Sequence, residues 1–274
     1  RLNRDLAPLS EAAWEEIDEE ARKTLKVLLG GRKLVDFAGP EGWDLSAVST
    51  GRVSDVKVNG DPELQIRKRE VQPLIELRRE FELSRAEMDA IDRGAADADL
   101  DPVVKAAQAI AFAEDRAVFT GLPDAGIDGI APSAAHETLA ISEDYENYPG
   151  VVARALTALR NAGVGGPYSI ALGPRCLTGL NETTVNGFPV MNHVAALLDG
   201  TIVSAPAIDG AIVMSSRGGD FELTCGRDFS IGYLNHDAKS VRLYLEESFT
   251  FRVLGAEAAV PLAYGKGGGR RKRR

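Results

Sequence analysis

The residues in this chain that could do chemistry are few and scattered. His136, His193 and His236 lie far apart, without the spacing that sets two imidazoles on one helix face, so each reads as a surface or packing residue. Cys176 and Cys225 are the only cysteines. Two such distant thiols make neither a disulfide framework nor a zinc site, and they read as small buried hydrophobes. No Gly-x-Ser-x-Gly elbow presents a nucleophile. Gly265-Lys266-Gly267-Gly268-Gly269 lacks the strand and the Lys-Ser/Thr pair of a phosphate loop. Glu143, Asp144 and Glu146 form an acidic cluster that reads as a solvated face, with weak cation binding as the alternative. The one dense run of like charge is Arg270-Arg271-Lys272-Arg273-Arg274, carried on the flexible glycines 267–269. Such a tail suits nucleic acid or an anionic surface.

What remains is a chain built to make a frame. It has 274 residues, 44% hydrophobic and 27% charged, enough for one large domain or two modest ones. The net charge is −9, and −14 once the five tail cations are set aside, so the acidic body argues against nucleic acid as a general partner. No apolar run approaches the roughly 18 residues of a membrane span, and no apolar signal segment opens the chain. A soluble, cytoplasmic protein is expected.

The stretch 208–253 alternates apolar and polar residues with period two and reads as one sheet with a buried face. It includes the run 211–215, a Gly218-Gly219 turn, and the sets Phe229, Ile231, Tyr233 and Val241, Leu243, Leu245. Upstream, Ser10 is a good N-cap for a helix whose Trp14, Ile17, Ala21, Leu25 and Leu28 make one stripe, for core packing or for a partner peptide. A short strand is expected over 34–37. Asn59-Gly60-Asp61-Pro62 marks a hairpin within 46–70 that is too polar to own a core and should lie on a neighbouring subunit. An alternating strand over 73–83 precedes a helix over 85–93 capped by Ser84, and Asp101-Pro102 opens a long helix to Phe119. Residues 134–207 alternate helices at 150–162, 175–180 and 190–198 with strands at 167–172 and 201–204, plus a turn-rich loop at 182–189. They read as an inserted subdomain.

This order of parts resembles the tailed-bacteriophage capsid fold of the Hong Kong 97 type, and the sequence itself resembles the encapsulins, the linocin or culture-filtrate antigen family, of the family 1 type. The resemblance is carried by Arg4-Asp5-Leu6-Ala7-Pro8, by Gly31-Arg32-Lys33-Leu34-Val35-Asp36, by Pro73-Leu74-Ile75-Glu76-Leu77-Arg78 and by Phe112-Ala113-Glu114-Asp115. Its most specific motifs are Arg217-Gly218-Gly219-Asp220-Phe221, Ser230-Ile231-Gly232-Tyr233 and Val241-Arg242-Leu243-Tyr244. It implies an α+β fold with an arm and lumen-facing helix (1–45), an E-loop (46–72), a P-domain with a spine helix (73–133), an A-domain (134–207), a P-domain sheet (208–262) and, outside the family pattern, the basic tail (263–274).

By the same resemblance the protein is no enzyme. It is expected to self-assemble, as sixty copies, into a closed icosahedral bacterial compartment around a cargo enzyme such as a dye-decolorising peroxidase or ferritin-like protein, linking it to oxidative stress or iron storage. Leu25, Arg32, Asp36, Ile231 and Tyr233 would bind a C-terminal peptide of the cargo. Glu182, Asn186, Gly187 and Phe188 would form a five-fold pore loop. Some members stack a flavin on a tryptophan; Ala86 stands at that position here, so no cofactor is expected. Alternative readings are a protease-like or antibacterial protein, or a shell that binds nucleic acid through Arg270 to Arg274.

Overall fold

The computed structural model describes residues 2–57 and 63–265. The first helix, α1 (Glu11–Leu28), starts at Ser10, whose Oγ accepts the Ala13 N–H at 3.0 Å. It buries Ala13, Ile17, Ala21 and Leu25 at helical spacing. A 3-10 turn at Gly31–Lys33 precedes β1 (Asp36–Ala38), so the short strand begins two residues later than its apolar residues suggest. Then come the ribbon β2 (Ala47–Val56) and β3 (Ile66–Pro73), and β4 (Ile75–Ser84). The Asn59-Gly60-Asp61-Pro62 turn expected between β2 and β3 lies outside the described residues.

Helix α2 (Arg85–Asp92) follows, but Ser84 makes no capping hydrogen bond. The Arg85 N–H instead donates to the Lys239 carbonyl at 2.9 Å, so the sheet replaces the cap. Helix α3 (Asp101–Phe119) is the spine. Beyond it come α4 (Ile130–Ser133), β5 (Leu139–Ile141), α5 (Tyr148–Asn161), β6 (Tyr168–Leu172), α6 (Pro174–Glu182), β7 (Thr184–Val185), β8 (Phe188–Pro189), α7 (Val190–Ala195) and β9 (Ile202–Ser204). The chain finishes with β10 (Ala211–Ser215), β11 (Phe221–Cys225), β12 (Ser230–His236), β13 (Ser240–Val253) and β14 (Ala259–Tyr264).

Residues 208–253 do not form one sheet. β10 lies between β6 and β14 in a sheet ordered β5-β14-β10-β6-β9, whereas β11, β12 and β13 join β1 and β4 in another. All five β10 residues are buried, the mark of a strand covered on both faces, where alternation carries no information. The Gly218-Gly219 turn does not close a hairpin. With φ of 85° and 82° it carries the chain from one sheet to the other, and Arg217 clamps Asp220 at 2.8 and 2.9 Å. β13 is one strand of 14 residues, its two alternating runs joined through buried Glu246, Glu247 and Ser248.

Two apolar cores result. One joins α1, α2 and the first part of α3 to the first sheet through Leu83, Ile231, Leu243 and Leu245. The other fills the second sheet and α5 to α7. α3 serves both, with Ala106, Ala107 and Ala111 in the first and Ala117, Val118 and Phe119 in the second. Small residues let α1 pack closely against it.

Candidate functional site

Beside the first core a groove of about 450 Å³ opens between α1 and β12. Its floor is apolar: Ala21 and Leu25, four apart on α1, face Ile231 and Leu245. On the helix side stand Arg22 and Lys26; on the strand side, Asp228, Phe229 and Ser230. Leu2 and Arg4 of the N-terminal arm close one end. Arg4 holds Asp18 through two hydrogen bonds of 2.7 and 3.3 Å and lies 3.9 Å over the Trp14 ring. Arg22 and Lys26 have no ion-pair partner among the described residues, so the helix side carries net positive charge. β13 covers one edge of β12. On the other, the Tyr233 N–H donates to the Leu2 carbonyl at 2.8 Å.

Of the five residues singled out for peptide binding, Leu25 and Ile231 meet in this groove. Tyr233 follows along β12, its hydroxyl 2.6 Å from His236 Nδ1. Arg32 stands behind the groove wall, its guanidinium 4.3 Å over the Phe229 ring. It donates to Glu114 at 2.7 to 3.0 Å, to Asp228 at 2.7 Å and to Glu247 at 3.0 Å. Asp36 is not brought into the groove. It sits on β1, accepts the Gly219 N–H at 2.6 Å and lines a separate pocket with Gly218 and Asp220.

Burial works against the charge of Arg32, but the hydrogen bonds and charge of Glu114, with Glu247 and Asp228, outweigh it and hold the guanidinium above its usual range. Burial also pushes the Glu247 carboxyl well above the usual range, and the adjacent Glu114 adds to this. Glu247 Oε1 has no hydrogen-bond partner among the described residues. Beside them, Asp115 accepts the Gly30 and Gly31 N–H groups, both at 2.9 Å.

Residue reading missed Arg4, Asp18, Arg22, Lys26 and Asp228. A signal existed: Asp18, Arg22 and Lys26 recur every four residues, a charged stripe flanking the apolar one. The arm carried no periodicity by which to place Leu2 and Arg4.

The second feature is the segment 182–189. It is an ordered hairpin, not a loop. β7 and β8 pair with Val185 opposite Phe188, and Asn186 (φ 52°) and Gly187 (φ 82°) form the left-handed two-residue turn of Asn-Gly hairpins. Glu182 ends α6, and Phe188 is 61% exposed at the tip. The helix after it stops at Ala195. Ala86 is exposed in the first turn of α2. Arg270 to Arg274 lie outside the described residues.

Among the described residues no group of three or more His, Cys, Asp and Glu could hold a metal, and no helix is long and apolar enough to cross a membrane. Cys225 is buried, which pushes its thiol up to about 12, so it stays protonated.

A family profile described as an encapsulating protein for peroxidase, Linocin_M18, matches residues 1–250. The chain is 57% identical over 267 residues to a type 1 encapsulin shell protein of Rhodospirillum rubrum, covering 95% of each. It is 47% identical over 265 residues to one of Mycobacterium tuberculosis, covering 96% of this chain and 99% of that one. Among solved structures, a virus-like particle from Pyrococcus furiosus superposes with a TM-score of 0.66 at 16% identity, over 90% of this chain and 98% of that one.

Proposed function

The chain belongs to the Linocin_M18 family and is a self-assembling encapsulin shell protein with the Hong Kong 97-type capsid fold, and from that premise we propose what it encloses and how. Sixty copies close into an icosahedron in the bacterial cytoplasm around a peroxidase or ferritin-like enzyme. The shell itself catalyses nothing and takes no flavin, since Ala86 gives it no stacking plane. Leu25 and Ile231 receive an extended C-terminal peptide of the cargo, with Arg32 and Tyr233 behind and beyond them. Asp36 supports the groove at a distance by tying β1 to the Gly218-Gly219 turn. Around each five-fold axis the hairpin of Asn186, Gly187 and Phe188 lines a pore for small molecules, and Glu182 anchors its base.

The observation that carries this reading is the groove: an apolar floor of Leu25 and Ile231 beside a strand edge that β13 leaves open. An extended peptide gains hydrogen bonds from the edge and specificity from the floor. The test is electron microscopy with analysis of co-purified protein. Uniform hollow spheres of sixty subunits holding one enzyme, lost from shells carrying Ser230→Phe but not from wild type, support it. Small oligomers or shells of another size refute the assembly. Equal loading of both shells refutes the groove.

A second reading rests on Arg270 to Arg274. A basic run repeated over a shell would bind nucleic acid multivalently. Nuclease-sensitive absorbance at 260 nm in purified shells supports it, and particles free of nucleic acid at low salt refute it.

A further inference from the structure

The groove is already partly filled, by the chain's own N-terminal arm. Leu2 and Arg4 line its end, and the Leu2 carbonyl accepts the Tyr233 N–H at 2.8 Å. That N–H lies on the edge of β12 away from β13. An extended peptide adding to this edge needs the same donor, because each backbone N–H on a strand edge serves one added rung. Arg4 latches the arm in place. Its guanidinium binds both oxygens of Asp18 and lies over Trp14, so both anchors belong to α1, the helix that supplies the floor. Beyond the latch the arm itself is loosely held: Leu6, at the end of the 3-10 turn Arg4–Leu6, is 62% exposed, and the chain packs on the first core again at Leu9, just before Ser10.

We infer that the arm, residues 2–7, is an internal occupant of the groove that a partner peptide must displace at β12, with Arg4 on Asp18 and Trp14 as the latch. This deepens the peptide-groove reading and rests on it for the partner. The arm is tethered, so it competes at high effective concentration although its contacts are few. Loosening the latch therefore admits a peptide without touching the apolar floor. Arg22 and Lys26, facing the same groove, stay free to meet a carboxylate on the entering chain.

The probe is a synthetic peptide of residues 1–9 of this chain, labelled at its C-terminus. Its binding is read by fluorescence anisotropy on three intact shells: wild type, Arg4→Ala, and a shell lacking residues 1–7. Binding should tighten in that order, at least tenfold from wild type to the truncated shell. Ser230→Phe in the truncated shell should abolish it by filling the groove. Equal affinity for all three shells overturns the inference, as does absence of binding to any of them. Loss of binding on truncation means that the arm is a wall and not an occupant, and binding that survives Ser230→Phe puts the peptide elsewhere; either overturns it too. The probe involves no cargo. Arm displacement with no effect of Ser230→Phe on cargo loading would refute the cargo reading alone.

Discussion

Arg32 and Glu114 are joined by three hydrogen bonds of 2.7 to 3.0 Å, and this pair ties the turn after α1 to the middle of the spine helix. Glu114 is wholly buried, and Arg32 carries the contact on to Asp228 and Glu247. The groove wall at Asp228 and Phe229 is thus fixed from behind by a guanidinium that never enters the groove.

Arg32→Ala strands Glu114 and Glu247 in a dry interior. Removing one partner of a buried pair costs about 3–5 kcal/mol. Arg32→Lys should recover only part of this, because an ammonium cannot reproduce the planar fork. Thermal unfolding of the shells should rank wild type above Arg32→Lys and Arg32→Ala last. A variant Arg32→Ala as stable as wild type would mean that the cluster does not hold the wall.

Glu247 and Glu114 sit on the same arginine yet should answer differently to amidation. Burial pushes the Glu247 carboxyl well above the usual range, and the adjacent Glu114 adds to this, which favours its neutral form, so Glu247→Gln should change stability by less than about 1 kcal/mol. Glu114 receives three charge-assisted bonds, and Glu114→Gln should cost about 2–3 kcal/mol. Denaturant titration of the two variants side by side reads the difference. Equal losses would show that Glu247 is ionised.

Asp115 gives the fold a pH dependence of known sign. Burial pushes its carboxyl from 3.8 up to about 6, against the Gly31 and Gly30 N–H bonds, while Glu114 adds to the rise and Lys33 opposes it. A carboxyl raised on folding stabilises fully below its unfolded value, and that contribution disappears as pH rises through about 6. Asp115→Asn removes the titration. Between pH 7 and pH 4.5 wild type should therefore gain about 2 kcal/mol of stability relative to this variant. Calorimetry at both pH values checks it, and an unchanged difference between the two proteins would show that the Asp115 carboxyl is not raised by folding.

How far the sequence reaches follows from where its periodicities stop. α1 and α3 were legible because each has an unbroken apolar stripe and a clean start, Ser10 for one and Asp101-Pro102 for the other. β10 misled: its first four residues, Ala211 to Met214, are all apolar, and nothing in that run says which sheet it enters. Long-range pairing decided it, with Val213 lying opposite Ile170 and Val260. Leu25 and Ile231 were legible as groove residues only through resemblance. Arg22 and Lys26 look like ordinary solvated charges until β12 is packed opposite them. The arm was beyond reach, since a segment without periodicity is placed by one backbone bond and one ion pair.

Two glycines separate backbone strain from packing. Gly179 lies inside α6, where alanine normally stabilises by about 1 kcal/mol. A Cβ there would overlap the ring of Tyr145, whose hydroxyl is held by the Arg175 carbonyl and by Tyr264. Overpacking of that kind costs about 1–3 kcal/mol, so Gly179→Ala should destabilise in spite of its propensity. Gly187 is the reverse case. A Cβ there meets nothing within 4 Å, but φ is 82°, so Gly187→Ala should cost about 1 kcal/mol through backbone strain alone. Hydrogen exchange distinguishes them: Gly179→Ala should loosen α6 and the second sheet beneath it, and Gly187→Ala only residues 184–189. Unchanged exchange across that hairpin would show that its turn is not left-handed, and the exposed Phe188 would then lose its fixed position at the tip.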